Sequence, residues 1–172
     1  MKLLTYKLKG DDKERLGMMC SFAFHRFIPI EDLGLHFRDM NDLIQNMTRE
    51  QRTILEHACE KPNKRLLCYE DVVRCAPIPH PRQDIICLGL NFRDHAVESS
   101  RFKKEEFNQE RPYAVYFSKR VNEATPDGGC IPSYPGLVDS LDYEAELAVI
   151  IGKEAKDVKK EDAFDYVFGY TV

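Results

Sequence analysis

Asp142-Tyr-Glu-Ala-Glu-Leu-Ala-Val-Ile-Ile151 is the most strand-like stretch of this 172-residue chain. Side chains along a strand alternate between two faces with a period of two. One face is Tyr143, Ala145, Leu147, Val149 and Ile151, wholly apolar; the other is Asp142, Glu144, Glu146, Ala148 and Ile150, acidic at its start and apolar at its end. A solvated face would stay polar throughout, so this second face is predicted to run from a wet lip into a core. Glu144 and Glu146 would stand about 7 Å apart on it. Two carboxylates at the lip of an apolar region suit a hard cation such as Mg2+ or Mn2+. The commoner origin of such a pattern is a half-exposed edge strand with surface acids, and the stretch alone leaves both readings open.

Working outward, residues 168–172 begin another strand, and Asp157 is placed to cap a short helix running to residue 167. Residues 121–136 are punctuated by Gly and Pro and read as loop. Residues 113–118 are an aromatic, β-branched strand, residues 93–100 a short helix, and Asp84-Ile-Ile-Cys-Leu-Gly-Leu90 a buried strand. Before these comes Cys75-Ala-Pro-Ile-Pro-His-Pro81, whose prolines bar a helix interior or a central strand. It reads as a semi-rigid linker dividing a domain of residues 1–78 from one of residues 79–172. Residues 41–60 are expected to be one helix, with a Thr48-x-x-Gln51 capping box and an apolar stripe of Ile54, Leu55, Ala58 and Cys59. The opening is a β-meander over residues 2–8, 16–20 and 23–28. These elements describe an α+β chain that is mostly β.

Hydrophobic residues make up 43% and charged residues 31%, a globular balance. A net charge of −4 leaves no basic footprint, so nucleic acid is not an expected partner. Lys103-Lys104 and Lys159-Lys160 sit beside acids and read as solvated faces. No apolar run approaches the roughly 20 residues that span a bilayer, and the N-terminus lacks the apolar block of an export signal. No membrane is expected, and the compartment is read as cytoplasmic. The six cysteines form no C-x-x-C pair and are expected to be reduced and mostly buried.

A second constellation is Gly89-Leu-Asn91-Phe-Arg93-Asp94-His95-Ala-Val-Glu98. His95 and Glu98, three apart, would neighbour each other on a helix. A carboxylate beside an imidazole can orient it and hold its proton, giving a pair able to activate water or shuttle protons. An exposed helix with an ordinary ion pair has the same spacing and is commoner. Residues 93–110 carry Arg101, Lys103, Lys104, Glu105, Glu106 and Glu110 with only Phe102 and Phe107 as anchors, so they are expected to be mobile without ligand. His25, His57 and His80 lack an acid at a useful spacing, and His36 neighbours only scattered charge; all four read as surface or capping residues. Gly128-Gly129 lacks the lysine and following helix of a phosphate loop.

Four segments taken together go further. Gly89-Leu-Asn-Phe-x-x-His95-x-x-Glu98, then Pro112 with Phe117 and Lys119, then Leu141-Asp-Tyr-Glu-x-Glu-Leu-Ala-Val-Ile-Ile-Gly-Lys153, then Asp162-Ala-x-Asp-Tyr-Val-x-Gly-Tyr-Thr-Val172 resemble, in order and spacing, the fumarylacetoacetate hydrolase family. The likeness is to its bacterial-type dienedioate isomerase and acylpyruvase-like members. It runs from about residue 77 to the last residue; the first 76 residues look only broadly like the small N-terminal domain of those members.

The resemblance implies a small β-rich N-terminal domain followed by the start of a mixed β-roll, in a homodimer when the protein is full-length. It implies Mg2+ or Mn2+ held by three carboxylates. Glu144 and Glu146 match two of them, and the third is an aspartate expected beyond Val172. His95 and Glu98 match the family's catalytic dyad on a lid segment, and Lys119 a basic residue near the substrate. Phe92 stands where the family commonly has tyrosine. The implied substrates are small 2-oxo acids or their enols, often from aromatic catabolism, which the family isomerises, hydrolyses at a C–C bond or decarboxylates. This stretch alone is expected to be inactive and to associate through unpaired strand edges. Two readings from other classes stand beside it: a non-catalytic truncated or assembly subunit, and a plain cation-binding β-domain, which would leave His95-x-x-Glu98 unexplained.

Overall fold

The computed structural model describes residues 1–21, 23–58, 65–89, 91, 92, 94, 97 and 113–172. They fall into two compact units, one of Met1–Pro79 with Ala124–Val172 and one of His80–Glu123.

In the first unit β1 (Leu3–Lys7), β2 (Arg15–Met19), β3 (Arg26–Pro29), β4 (Leu67–Cys68) and β5 (Val73–Arg74) form an antiparallel sheet in the order β4-β3-β2-β1-β5. The opening meander is therefore as expected. Its alternation sorts the core into two clusters. Leu16 and Met18 pack with Ile30, Leu35, Met40, Leu43 and Leu55, while Leu4, Tyr6 and Phe27 pack with Val72. Burying each such large apolar side chain contributes about 1.5–3 kcal/mol. Tyr6 and Phe27 meet edge to face with ring centroids 4.7 Å apart, the arrangement that aromatic quadrupoles favour. Burial, helped by the charge of Glu31, pushes the Tyr6 phenol up to about 12. The proline-rich stretch is tied to β1, because the Thr5 hydroxyl donates to the Pro77 carbonyl at 2.8 Å.

The single helix expected over residues 41–60 is two, α1 (Met40–Asn46) and α2 (Arg49–Ala58). Asp39 caps α1 by accepting from the Asp42 N–H at 2.8 Å. Between the helices the Gln51 N–H donates to Thr48 Oγ1 at 3.3 Å and the Thr48 N–H to Gln51 Oε1 at 2.9 Å. A reciprocal box of this kind satisfies the free N–H groups of a first turn. It therefore opens a second helix instead of lying inside one. Leu55 is fully buried and Ala58 packs on the core, but Ile54, from the same predicted stripe, is exposed; Cys59 lies outside the described residues.

Residues 124–147 form no helix or strand. They lead into the hairpin of β8 (Ala148–Ile151) and β9 (Val167–Thr171), joined through a 3₁₀ helix over Lys160–Tyr166. The strand predicted over residues 142–151 is thus shorter. It begins at Ala148, which pairs with Thr171, and residues 142–147 take no part in the ladder. Asp157 does not cap a helix: its backbone is left-handed at φ 52°, and the 3₁₀ helix starts at Lys160 with no side-chain cap. Phe168 of β9 packs against the first core cluster, which docks this hairpin on the N-terminal sheet.

The second unit is built on β6 (Ile85–Gly89) and β7 (Val115–Lys119), paired antiparallel from Ile85 opposite Lys119 to Gly89 opposite Val115. The helix expected over residues 93–100 and the mobile lid over residues 93–110 lie outside the described residues, apart from Asp94 and Val97. Among the described residues the chain is mostly β with two short α-helices, the α+β class expected. No helix among them is long and apolar enough to cross a membrane.

Candidate functional site

Glu144 and Glu146 are both exposed and lie on the unpaired stretch just before β8. Asp142 turns back on its own chain, its carboxylate accepting the Tyr143 N–H at 2.9 Å. Leu147, Val149 and Ile151 are exposed, so the apolar face read from the alternation is open to solvent. Glu144 and Glu146 supply hard oxygen donors of the kind Mg2+ and Mn2+ take, but such ions take about six ligands. Among the described residues no three His, Cys, Asp or Glu side chains are placed to share a metal ion. The donor chemistry fits a hard cation; the donor count is incomplete.

Lys119 ends β7 in the second unit. Its partner in the ladder is Ile85, so it shares a face with Val115, Phe117, Cys87 and Gly89. A lone ammonium on an apolar face can meet a carboxylate whose carbon skeleton lies along that face. His95 and Glu98 lie outside the described residues.

One cluster escaped the linear pattern. His25 was expected to have no acid partner, yet its Nδ1 contacts Glu70 Oε1, from a residue 45 positions away. The Cys68 thiol donates to the other oxygen of Glu70 at 2.8 Å. The His25 carbonyl accepts the Tyr69 N–H at 2.8 Å. The thiol bond first, then a backbone N–H and His25, hold the Glu70 carboxyl below its ordinary range. The pairing of β3 with β4, which sets Arg26 opposite Cys68, assembles this group. Nothing in the spacing of residues 25, 68 and 70 signals it. The cysteines also differ from expectation: of the five described, none in a disulfide, only Cys20 is buried, and Cys130 is exposed on the loop after β7.

The family model for the fumarylacetoacetate (FAA) hydrolase C-terminal domain matches residues 84–172. The chain belongs to the fumarylacetoacetate hydrolase family. The match spans all four strands from β6 to β9 and includes Lys119, Glu144 and Glu146 together with His95 and Glu98. Oxaloacetate tautomerase YisK of Bacillus subtilis (strain 168) is 42% identical over 117 residues, covering 66% of this chain and 37% of that protein. An uncharacterized protein of Staphylococcus aureus (strain USA300) is 34% identical over 106 residues, covering 62% of this chain and 32% of its own length. The chain thus spans about a third of the length of these curated relatives. A solved fumarylacetoacetate hydrolase from psychrophilic Exiguobacterium antarcticum superposes with a TM-score of 0.63 at 22% identity, covering 99% of this chain and 53% of that one. That likeness carries the fold of the fumarylacetoacetate hydrolase family over to this chain.

Proposed function

We propose that this protein is a divalent-metal-dependent enzyme acting on small 2-oxo acids or their enols, and that its reaction is the keto–enol tautomerisation of a short 2-oxo dicarboxylate. The observation that carries the reading is membership of the fumarylacetoacetate hydrolase family combined with 42% identity to a protein named oxaloacetate tautomerase. Residues 79–172 are then the start of the catalytic β-roll, in a cytoplasmic homodimer.

Glu144 and Glu146 would hold Mg2+ or Mn2+. Such an ion, when bound, supplies positive charge where an enolate oxygen develops. A ladder continued in the β8–β9 register would give a third carboxylate a place beside this pair. Each step back from Ala148 is one step on from Thr171, so in a chain continuing in this register Glu146 faces position 173 and Glu144 faces position 175. Residues directly opposite in a ladder share a face, so an aspartate at either position would join the pair. His95, oriented by Glu98, takes a proton from the carbon next to the keto group and returns it to the oxygen, leaving the substrate an isomer with no atom gained or lost. Lys119 pairs with the far carboxylate of the substrate.

The test follows the ultraviolet absorbance of enol-oxaloacetate with the protein as its own gene expresses it, with and without Mg2+ or Mn2+. Glu146→Gln is expected to abolish the metal-dependent rate while leaving the circular dichroism intact. His95→Ala is expected to lower kcat by about 10²–10⁴-fold with little change in KM. A rate that survives both chelation and Glu146→Gln overturns the proposal. Cleavage of an acylpyruvate without tautomerisation of oxaloacetate would move the assignment to C–C hydrolysis.

A further inference from the structure

The proline-rich stretch between β5 and β6 is fastened along its length. The Cys75 N–H donates to the Thr5 carbonyl at 3.1 Å, the Thr5 hydroxyl to the Pro77 carbonyl at 2.8 Å, and the Ala124 N–H to the Pro79 carbonyl at 2.8 Å. His80 comes next, between Pro79 and Pro81. Each proline fixes its own φ, and Pro81 also disfavours helical backbone at His80. The backbone that carries the His80 side chain therefore has little freedom left to lose. That side chain makes a bond across 42 residues, His80 Nδ1 donating to the Asn122 carbonyl at 3.0 Å. Asn122 stands three residues after Lys119, which ends β7. Lys119 pairs with Ile85, the first residue of β6, so these two form the end rung of the ladder. The ends of an element are where it frays first. The bond from His80 to Asn122 lies just beyond this rung and closes the two chains into a short ring. Lys119 is thus held at its own rung and again three positions on.

We propose that His80 is a positioning residue for Lys119: its imidazole clasps the chain leaving β7, so that the ammonium is presented from a closed end of the ladder. The inference rests on the functional reading above for the role of Lys119 toward the far carboxylate of a 2-oxo dicarboxylate, and on geometry alone for the clasp. The bond is exposed to solvent, so its effect is a few-fold one. Because a carbonyl accepts, the clasp needs an N–H where Nδ1 stands. The side-chain amide of asparagine can supply one there, and alanine cannot.

The experiment measures amide hydrogen exchange of peptides from residues 113–123, with KM and kcat for oxaloacetate, in the protein as expressed from its own gene. Pyruvate, a 2-oxo acid with no far carboxylate, is titrated as a competitive inhibitor. The variants are His80→Ala, His80→Asn, Lys119→Ala, and His80→Ala combined with Lys119→Ala. His80→Ala is expected to speed exchange about threefold and to raise the KM for oxaloacetate by a similar factor, with kcat and the pyruvate Ki unchanged. His80→Asn should restore both in part. The double variant should have the KM of Lys119→Ala alone, because His80 acts through Lys119. Peptides from β1–β3 should exchange as in the wild type throughout. Unchanged exchange in His80→Ala overturns the clasp. Faster exchange with unchanged KM, while Lys119→Ala raises KM, overturns the positioning role and leaves the functional reading standing. A pyruvate Ki weakened as far as the KM for oxaloacetate also overturns it, since the loss would then not pass through Lys119. A wild-type KM in Lys119→Ala defeats the reading of Lys119 and the positioning role with it. No turnover of oxaloacetate by the wild type defeats the functional reading instead, and faster exchange in His80→Ala then still supports the clasp.

Discussion

Gly17 in β2 sits beneath the most crowded part of the N-terminal sheet, and Gly17→Ala tests whether that crowding is real. A Cβ there would stand 2.6 Å from Phe27 Cδ2, 3.0 Å from Phe27 Cε2 and 3.1 Å from Leu4 Cδ2. A contact of 2.6 Å lies far inside van der Waals distance, so the ring has to move. Phe27 has no exposed surface and is braced edge to face by Tyr6, itself 1% exposed, so the ring has nowhere to go without shifting a second aromatic. Overpacking of this kind costs about 1–3 kcal/mol. Against it, alanine in a strand interior recovers about 0.5–1 kcal/mol of the entropy that glycine loses on folding. The net expectation is a loss of about 1–2 kcal/mol, read as a lower urea midpoint with an unchanged m-value. In a Phe27→Leu background the clash is gone and the same substitution should be close to neutral, a coupling of about 1–2 kcal/mol. Equal urea midpoints for Gly17→Ala and the wild type, or an equal penalty in both backgrounds, would refute the reasoning.

Thr48→Ala removes one arm of the capping box between α1 and α2 and should cost about 1 kcal/mol, seen as a lower Tm in a calorimetric melt. Leu55→Ala, which empties a fully buried site where α2 meets the sheet, should cost about 2–5 kcal/mol by urea titration; a loss under half of that would mean the helix is not docked as described. The Glu70 carboxyl, depressed first by the Cys68 thiol, should titrate below an ordinary glutamate by NMR and move up in Cys68→Ala. Because the folded value is the lower one, its contribution to stability is present above the unfolded glutamate value and is lost as pH falls through the folded value. A Glu70 that titrates as in an unfolded peptide would remove the interaction from the account.

What could be read in advance was whatever depends on neighbours in sequence. The alternation of Leu4, Tyr6, Leu16 and Met18 marks strands because period two is a local property, and Thr48-x-x-Gln51 marks a helix start for the same reason. The break before Thr48 is written in that same box, because a capping box satisfies the N–H groups of a first turn and so opens a helix. Residues 142–147 read as strand from their alternation, but a strand also needs a partner, and the β8–β9 register supplies none before Ala148. Asp157 has the composition of a cap and a backbone that cannot serve as one. The contacts of His25 with Glu70 and of Arg74 with Asp127 join residues 45 and 53 positions apart, so only strand order and loop path bring them together. Glu144, Glu146 and Lys119 are marked by resemblance; spacing alone leaves the surface reading open for the glutamates.

The sheet of the first unit is complete once β5 pairs with β1, at Arg74. Nearly all the residues of its two core clusters also lie before the proline-rich stretch, with Phe168 the late exception. A ribosome adds about 5–20 residues per second, and N-terminal units fold first. The five-stranded sheet and both helices are therefore synthesised before β8 and β9. A core surface of Leu16, Met18 and their neighbours therefore already waits when Phe168 of β9 is made.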